Sequence, residues 1–204
     1  AQAGADLLGL NFYPPSPRYI DPAAARVLTG GLRAALGDRC PVLVGVFVNA
    51  GVDDLAHVMQ VAGLDAVQLS GDEPLATVQA LQGRVIKALR PRHVDDARAL
   101  SAQFAPHGAL DGRLPSLLVD AYHKALYGGT GEEASIEVAL AVRERVPRLM
   151  LAGGLKPANV AARVRAIRPW GVDVASGVEA GTPGIKDPAL VKALVESVRE
   201  ADRA

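Results

Sequence analysis

Two short apolar runs near the C-terminus each close on a glycine turn. The first is Leu149-Met150-Leu151-Ala152-Gly153-Gly154-Leu155 and the second is Val172-Asp173-Val174-Ala175-Ser176-Gly177-Val178-Glu179. Glycine lets backbone N–H groups crowd together with no Cβ in the way. N–H groups that converge where a strand gives way to a helix attract anions, because a helix start carries partial positive charge. Gly153, Gly154, Ser176 and Gly177 are therefore candidate phosphate ligands, mostly through backbone N–H. Upstream, Asp120 ends the apolar run Ser116-Leu117-Leu118-Val119. A carboxyl at the end of an apolar strand is costly to bury unless it is tuned or paired, which suits proton transfer. A helix-capping or loop aspartate is the alternative. Asp173 lies within the last run, and the sequence does not say whether it faces ligand or serves structure.

Such groups need a frame. Apolar runs at 6–13, 42–48, 65–69, 84–89, 116–121, 148–152 and 171–175 read as strands. Many are continuously apolar, as in Val42-Leu43-Val44-Gly45-Val46-Phe47-Val48, which fits strands covered on both faces. Amphipathic stretches at 22–36, 53–62, 74–81, 94–104, 135–145, 157–167 and 187–201 read as helices. Asp21-Pro22, Glu73-Pro74 and Asp187-Pro188 resemble helix starts. Repeated strand–helix units imply a parallel sheet. Two glycine turns on successive late strands match the usual phosphate site of a (β/α)8 TIM barrel. About seven strands are visible where a closed barrel needs eight, so the expectation is a barrel whose first βα unit is missing from this chain. An open doubly wound sheet is the competitor. No linker or low-complexity tract divides residues 1–204, so a single domain is expected.

Half of the 204 residues are apolar, and Lys+Arg balances Asp+Glu at 22 each. Neither a basic face nor aromatic platforms for nucleic acid are favoured. No apolar run reaches the ~18 residues needed to span a bilayer and no signal peptide is evident, so a cytoplasmic enzyme without a membrane partner is expected. The lone Cys40 reads as inert and partly buried. His57, His93, His107 and His123 lack metal-ligand spacing, so no metal is expected.

Four segments taken together resemble phosphoribosylanthranilate isomerases from about residue 3 to residue 200. They are Gly9-Leu10-Asn11-Phe12-Tyr13-Pro14-Pro15-Ser16-Pro17-Arg18-Tyr19-Ile20; Asp65-Ala66-Val67-Gln68-Leu69-Ser70-Gly71-Asp72-Glu73; Leu118-Val119-Asp120 with Tyr127-Gly128-Gly129-Thr130-Gly131; and the two glycine turns with Pro183-Gly184-Ile185-Lys186-Asp187. The resemblance implies an Amadori rearrangement of N-(5-phosphoribosyl)anthranilate to 1-(2-carboxyphenylamino)-1-deoxyribulose 5-phosphate in tryptophan biosynthesis, with no cofactor and a small phosphorylated substrate as partner. It implies that Asp120 is the general acid that opens the furanose ring. It implies that Arg18 holds the anthranilate carboxylate through its two-pronged guanidinium. Gly129 falls in the loop that closes over ligand. The family includes monomers and dimers, so a homodimer lies within expectation.

The chain departs from that pattern in places. The family's general base is a cysteine on a first strand, in a Lys-Ile-Cys-Gly motif that these residues do not contain, and Cys40 is not its equivalent. Ser70 stands where the family usually has histidine. Ala134-Ser135-Ile136 stands for the family's Phe-Asp-Trp. His123 lies just beyond Asp120, where contact with substrate is the minor reading. A non-catalytic phosphosugar-binding or assembly module is the alternative if the base is truly lacking. A dual-substrate isomerase also serving the histidine pathway would need a second anion cluster, which the first half of the chain does not show.

Overall fold

The computed structural model describes residues 1–81, 83–120 and 136–203. Seven strands lie parallel in strict chain order in one sheet. They are β1 (Leu7–Asn11), β2 (Val42–Phe47), β3 (Ala66–Leu69), β4 (Val85–Leu89), β5 (Leu117–Asp120), β6 (Leu149–Ala152) and β7 (Gly171–Val172). The helices that return the chain are α1 (Pro22–Leu36), α2 (Val52–Ala62), α3 (Leu75–Ala80), α4 (Val94–Phe104), α5 (Ile136–Arg143), α6 (Pro157–Ile167) and α7 (Pro188–Arg203). Each element falls where the apolar runs and helical periodicity place it. The last strand is shorter than the run 171–175, because its pairing with β6 gives out after Val172 and one further bond, from Asp173 N–H to the Leu151 carbonyl.

Side chains alternate across a strand, so each strand divides its residues between two layers. Leu43, Phe47, Val67, Leu69, Val85, Leu89, Leu117, Val119, Leu149 and Leu151 face the helices and pack with Ala25, Leu55, Met59, Phe104 and Val142. Val42, Val44, Ala66, Ile86, Ala88, Leu118, Met150 and Ala152 form a second cluster on the other face, to which no helix contributes. All the crossover helices therefore cover one face. That is the arrangement of a sheet curling into a barrel, not of a doubly wound sheet with helices on both sides. Ala109 and Leu114, from the segment before β5, join the inner cluster, and Arg148 holds that segment by hydrogen bonds to the carbonyls of Ala109 (2.7 Å) and Leu114 (2.8 Å). Among the described residues no pairing joins β7 to β1.

Two of the three acid–proline helix starts behave as expected. Asp21 accepts from the N–H groups of Ala23 and Ala24, and Asp187 from those of Ala189 and Leu190. Glu73 does not cap α3. Its carboxylate turns beneath the helical layer and takes the Lys87 ammonium at 2.7 Å, with the side chains only 1% and 5% exposed. It also accepts the N–H groups of Asn49 and Gly71, while Lys87 donates to the Gly71 carbonyl at 2.6 Å. This ion pair ties the segments after β2 and β3 to the outer face of β4. Burial alone would raise the Glu73 pKa; the bonds from Lys87 and Asn49 outweigh it and hold the carboxyl below its ordinary range.

Removing one partner leaves the other buried and unpaired. Glu73→Ala or Lys87→Ala should each cost about 3–5 kcal/mol in denaturant unfolding, while replacing both by apolar residues of similar volume should cost far less. A depressed carboxyl pKa contributes stability above its unfolded-state value and loses it as pH falls through the folded-state value, so acid unfolding should be shallower in Glu73→Gln.

Candidate active site

Parallel strands end on one side of the sheet, so residues at their C-terminal ends share a rim. Leu118 belongs to the inner layer, so Asp120, two residues on, faces inward. Its register partner is Ala152, the residue before Gly153, so the acid sits one strand away from the first glycine turn. Arg90, just past β4, brings its Nε to 3.8 Å from Asp120 Oδ2. On the far side, Gly171 pairs with inward-facing Met150, which turns Asp173 inward as well. The Asp173 carboxyl is pushed above the usual aspartate range, first by desolvation and then by the Asp120 charge, while Lys186 pulls it back. It is nevertheless exposed to solvent by area. Solvent at that exposed position tempers the desolvation. Asp173, undecided from sequence, thus belongs with Asp120, and Arg90 was missed.

The two glycine turns touch. Gly153 and Gly154 both take positive φ, 98° and 60°, a conformation costly to a side chain. Asn159 of α6 fixes this turn by donating to the Gly154 carbonyl at 3.0 Å while accepting the Lys156 N–H at 2.9 Å. Ser176–Val178 forms a short 3-10 turn, and a Cβ on Gly177 would run into the carbonyl oxygen of Leu155. Among the described residues, the N–H groups of Gly153, Gly154, Ser176 and Gly177 meet no backbone or side-chain acceptor. Two clusters of donors thus lie side by side.

Arg18 reaches the same rim from the segment after β1. Phe12 stacks on Phe47 with ring centroids 5.2 Å apart, Tyr19 bridges back to Asn11, and Ser16 Oγ accepts the Arg18 N–H at 3.1 Å. The guanidinium meets Glu179 in a fork, Nε to Oε1 and Nη2 to Oε2, both at 2.7 Å. Glu179 also takes Lys186 Nζ at 3.0 Å and the Gly184 N–H at 2.8 Å. Its pKa is driven far below the carboxylate range, chiefly by the Arg18 hydrogen bonds, and that of Arg18 is raised in return. This cluster joins the first strand's rim segment to the last's. Glu179 and Lys186 lie within the family-like motifs, and the resemblance implies no task for either.

Gly129 and His123 lie outside the described residues. His57 is exposed on α2, His93 caps α4 by accepting the Asp96 N–H, and Cys40 is half-buried. Among the described residues no group of His, Cys, Asp and Glu could hold a metal ion, and no helix is long and apolar enough to cross a membrane. A pocket of about 520 Å³ lined by Met59, Gly63, Leu64, Leu81 and Arg84 sits under α2 and α3, on the helical side and toward the strands' N-terminal ends, away from these groups.

The family model for N-(5'phosphoribosyl)anthranilate (PRA) isomerase matches residues 2–197. The chain belongs to this family. It is 43% identical over 202 residues to the N-(5'-phosphoribosyl)anthranilate isomerase of Roseiflexus sp. (strain RS-1), covering 98% of this chain and 90% of that one. The Myxococcus xanthus enzyme is likewise 43% identical, over 97% and 88% of the two chains. The crystal structure of the Thermotoga maritima isomerase superposes with a TM-score of 0.81 at 34% identity, covering 98% and 90%. A solved isomerase in complex with reduced 1-(o-carboxyphenylamino)-1-deoxyribulose 5-phosphate superposes at 0.79 and 32% identity, again over 98% and 90%.

Against the family pattern, Ser70 is buried and its Oγ accepts from Gln68 Nε2 at 3.0 Å, so the hydroxyl is engaged within the barrel wall. The contact at Gly177 predicts a contrast between two glycines. Gly177→Ala should lower stability by about 1–3 kcal/mol through overpacking against Leu155. Gly30→Ala, within α1 and with nothing near its Cβ, should raise it by about 0.4–1 kcal/mol. Thermal or denaturant melts of both variants check the pair.

Proposed function

We propose that the protein isomerises N-(5-phosphoribosyl)anthranilate to 1-(2-carboxyphenylamino)-1-deoxyribulose 5-phosphate. The observation that carries this reading is convergence: an inward acid, two touching glycine turns and a braced arginine share one rim of a parallel sheet. The substrate has three features to match them. Its phosphate suits the N–H groups of Gly153, Gly154, Ser176 and Gly177. Its anthranilate carboxylate suits the guanidinium of Arg18. Its sugar then spans the inward face, beside Asp120.

The rearrangement needs a proton delivered to the furanose ring oxygen and another removed from C2. Asp120 is the group we assign to the first task. Asp173 lies on the same inner face, where the Asp120 charge adds to the desolvation that raises its pKa. No cofactor enters the scheme, because ring opening and tautomerisation move only protons. Gly129 is assigned to the covering segment by resemblance alone.

We further propose one barrel domain in which an eighth strand stands between β7 and β1 and presents the general base. Two features support this: the facing edges of β7 and β1 lack a partner among the described residues, and the family's base lies on such a strand. The chain spans 90% and 88% of the two relatives named above. A Thermotoga maritima isomerase is described as dimeric, and a homodimer of this chain is proposed by that likeness alone.

Asp120→Asn keeps shape and removes the proton. Turnover should fall by about 10²–10⁴-fold while affinity for the reduced product analogue holds. Normal turnover with lost affinity would reject the acid role. Arg18→Ala should weaken anthranilate-bearing ligands by roughly tenfold or more and leave ribose 5-phosphate nearly untouched. Equal weakening of both would reject the carboxylate grip. Steady-state kinetics and inhibition constants of the full-length enzyme supply both readouts.

A further inference from the structure

Glu179 is heavily engaged at the rim, yet the scheme above gives it no task. Its side chain is 7% exposed and accepts from Arg18, Lys186 and the Gly184 N–H, whereas Arg18 is 29% exposed. The carboxylate is thus the inner member and the guanidinium the outer one. A guanidinium carries five N–H donors in a fixed plane. Glu179 takes the Nε–Nη2 edge, which leaves the Nη1–Nη2 edge for another acceptor. Lys186 also acts on the Asp173 carboxyl, so the open feature of the cluster is the free edge of Arg18.

We infer that Glu179 is a positioning residue for substrate recognition: by holding one edge of Arg18 it presents the other edge to the carboxylate of the substrate's aromatic end. The inference rests on the reading of Arg18 given under the proposed function. An arginine on a loop loses rotamer freedom when it grips a ligand, and one already braced on its other edge loses less. Glu179 cannot simply yield its place to substrate, since Lys186 and the Gly184 N–H keep hold of it. Lys186 also donates to the Ala175 carbonyl at 2.7 Å, immediately before Ser176. The brace therefore fixes the carboxylate grip relative to the second glycine turn, and so sets the span between the two ends of a bound phosphosugar.

The test uses the full-length enzyme and four variants: Glu179→Gln, Glu179→Ala, Arg18→Ala and the double variant. Each is assayed for kcat and KM, and for inhibition by the reduced carboxyphenylamino-deoxyribulose phosphate and by ribose 5-phosphate. Glu179→Ala should raise KM and weaken the carboxylate-bearing inhibitor by about tenfold, with a smaller change in kcat and in ribose 5-phosphate binding. In the Arg18→Ala background it should add nothing, because the two act as one unit. Glu179→Gln preserves shape and should show a partial loss in the same direction, and it decides the matter if Glu179→Ala does not fold. Full affinity for the carboxylate-bearing inhibitor in Glu179→Gln, alongside a loss in Arg18→Ala, would overturn the positioning role alone. An unchanged ratio of the two inhibitors in Arg18→Ala would overturn the Arg18 reading first, and this inference with it.

Discussion

The site depends on one constraint: seven strands run the same way and in step. Because they are parallel, every strand delivers its last inward side chain to the same rim. Because every crossover helix lies on one face, the other face is left to close on itself. Asp120 and Asp173 therefore share the inner face and act on each other electrostatically although 53 positions separate them in sequence. A one-residue slip of β5 against β6 would turn Asp120 into the helical layer and Leu117 or Val119 into the cleft. The tight packing of Leu117, Val119, Leu149 and Leu151 beneath the helices opposes that slip.

On that frame the rim is stitched by charge. The Glu73–Lys87 pair sits outside the sheet, is shut from water, and fastens the segments after β2 and β3. The Arg18–Glu179–Lys186 cluster sits at the rim, is half open, and fastens the first and last visible strands' segments. Their chemistry differs accordingly. The first is balanced and sealed, and so serves the fold. The second leaves one edge of Arg18 open and keeps solvent access, and so can receive an anion. Burial and open donor edges, not the mere presence of an ion pair, separate a structural tie from a recognition site.

Much of this was legible in the chain. Continuous apolar runs such as 42–48 mark doubly covered strands, and the helices between them follow from their periodicity and from Asp–Pro starts at 21 and 187. The glycine turns announced themselves by composition. What the sequence could not show were partnerships across distance. Glu73-Pro74 has the local form of a helix start, but burial against Lys87 competes for the carboxylate and wins. Arg18 and Glu179 lie 161 positions apart, and nothing local links them. Asp173 could be placed only once the register of β7 was known, since one position either way reverses the face it occupies. Arg90 follows an apolar strand as many surface arginines do, and only the inward turn of the rim sets it beside Asp120.

The most direct measurement is a crystal structure of the full-length protein with reduced 1-(o-carboxyphenylamino)-1-deoxyribulose 5-phosphate. The phosphate should rest on the N–H groups of the two glycine turns, the carboxylate on the open edge of Arg18 with Glu179 still in place, and the sugar beside Asp120. A ligand seated elsewhere, or one whose phosphate and carboxylate exchange these ends, would contradict the shared-rim site.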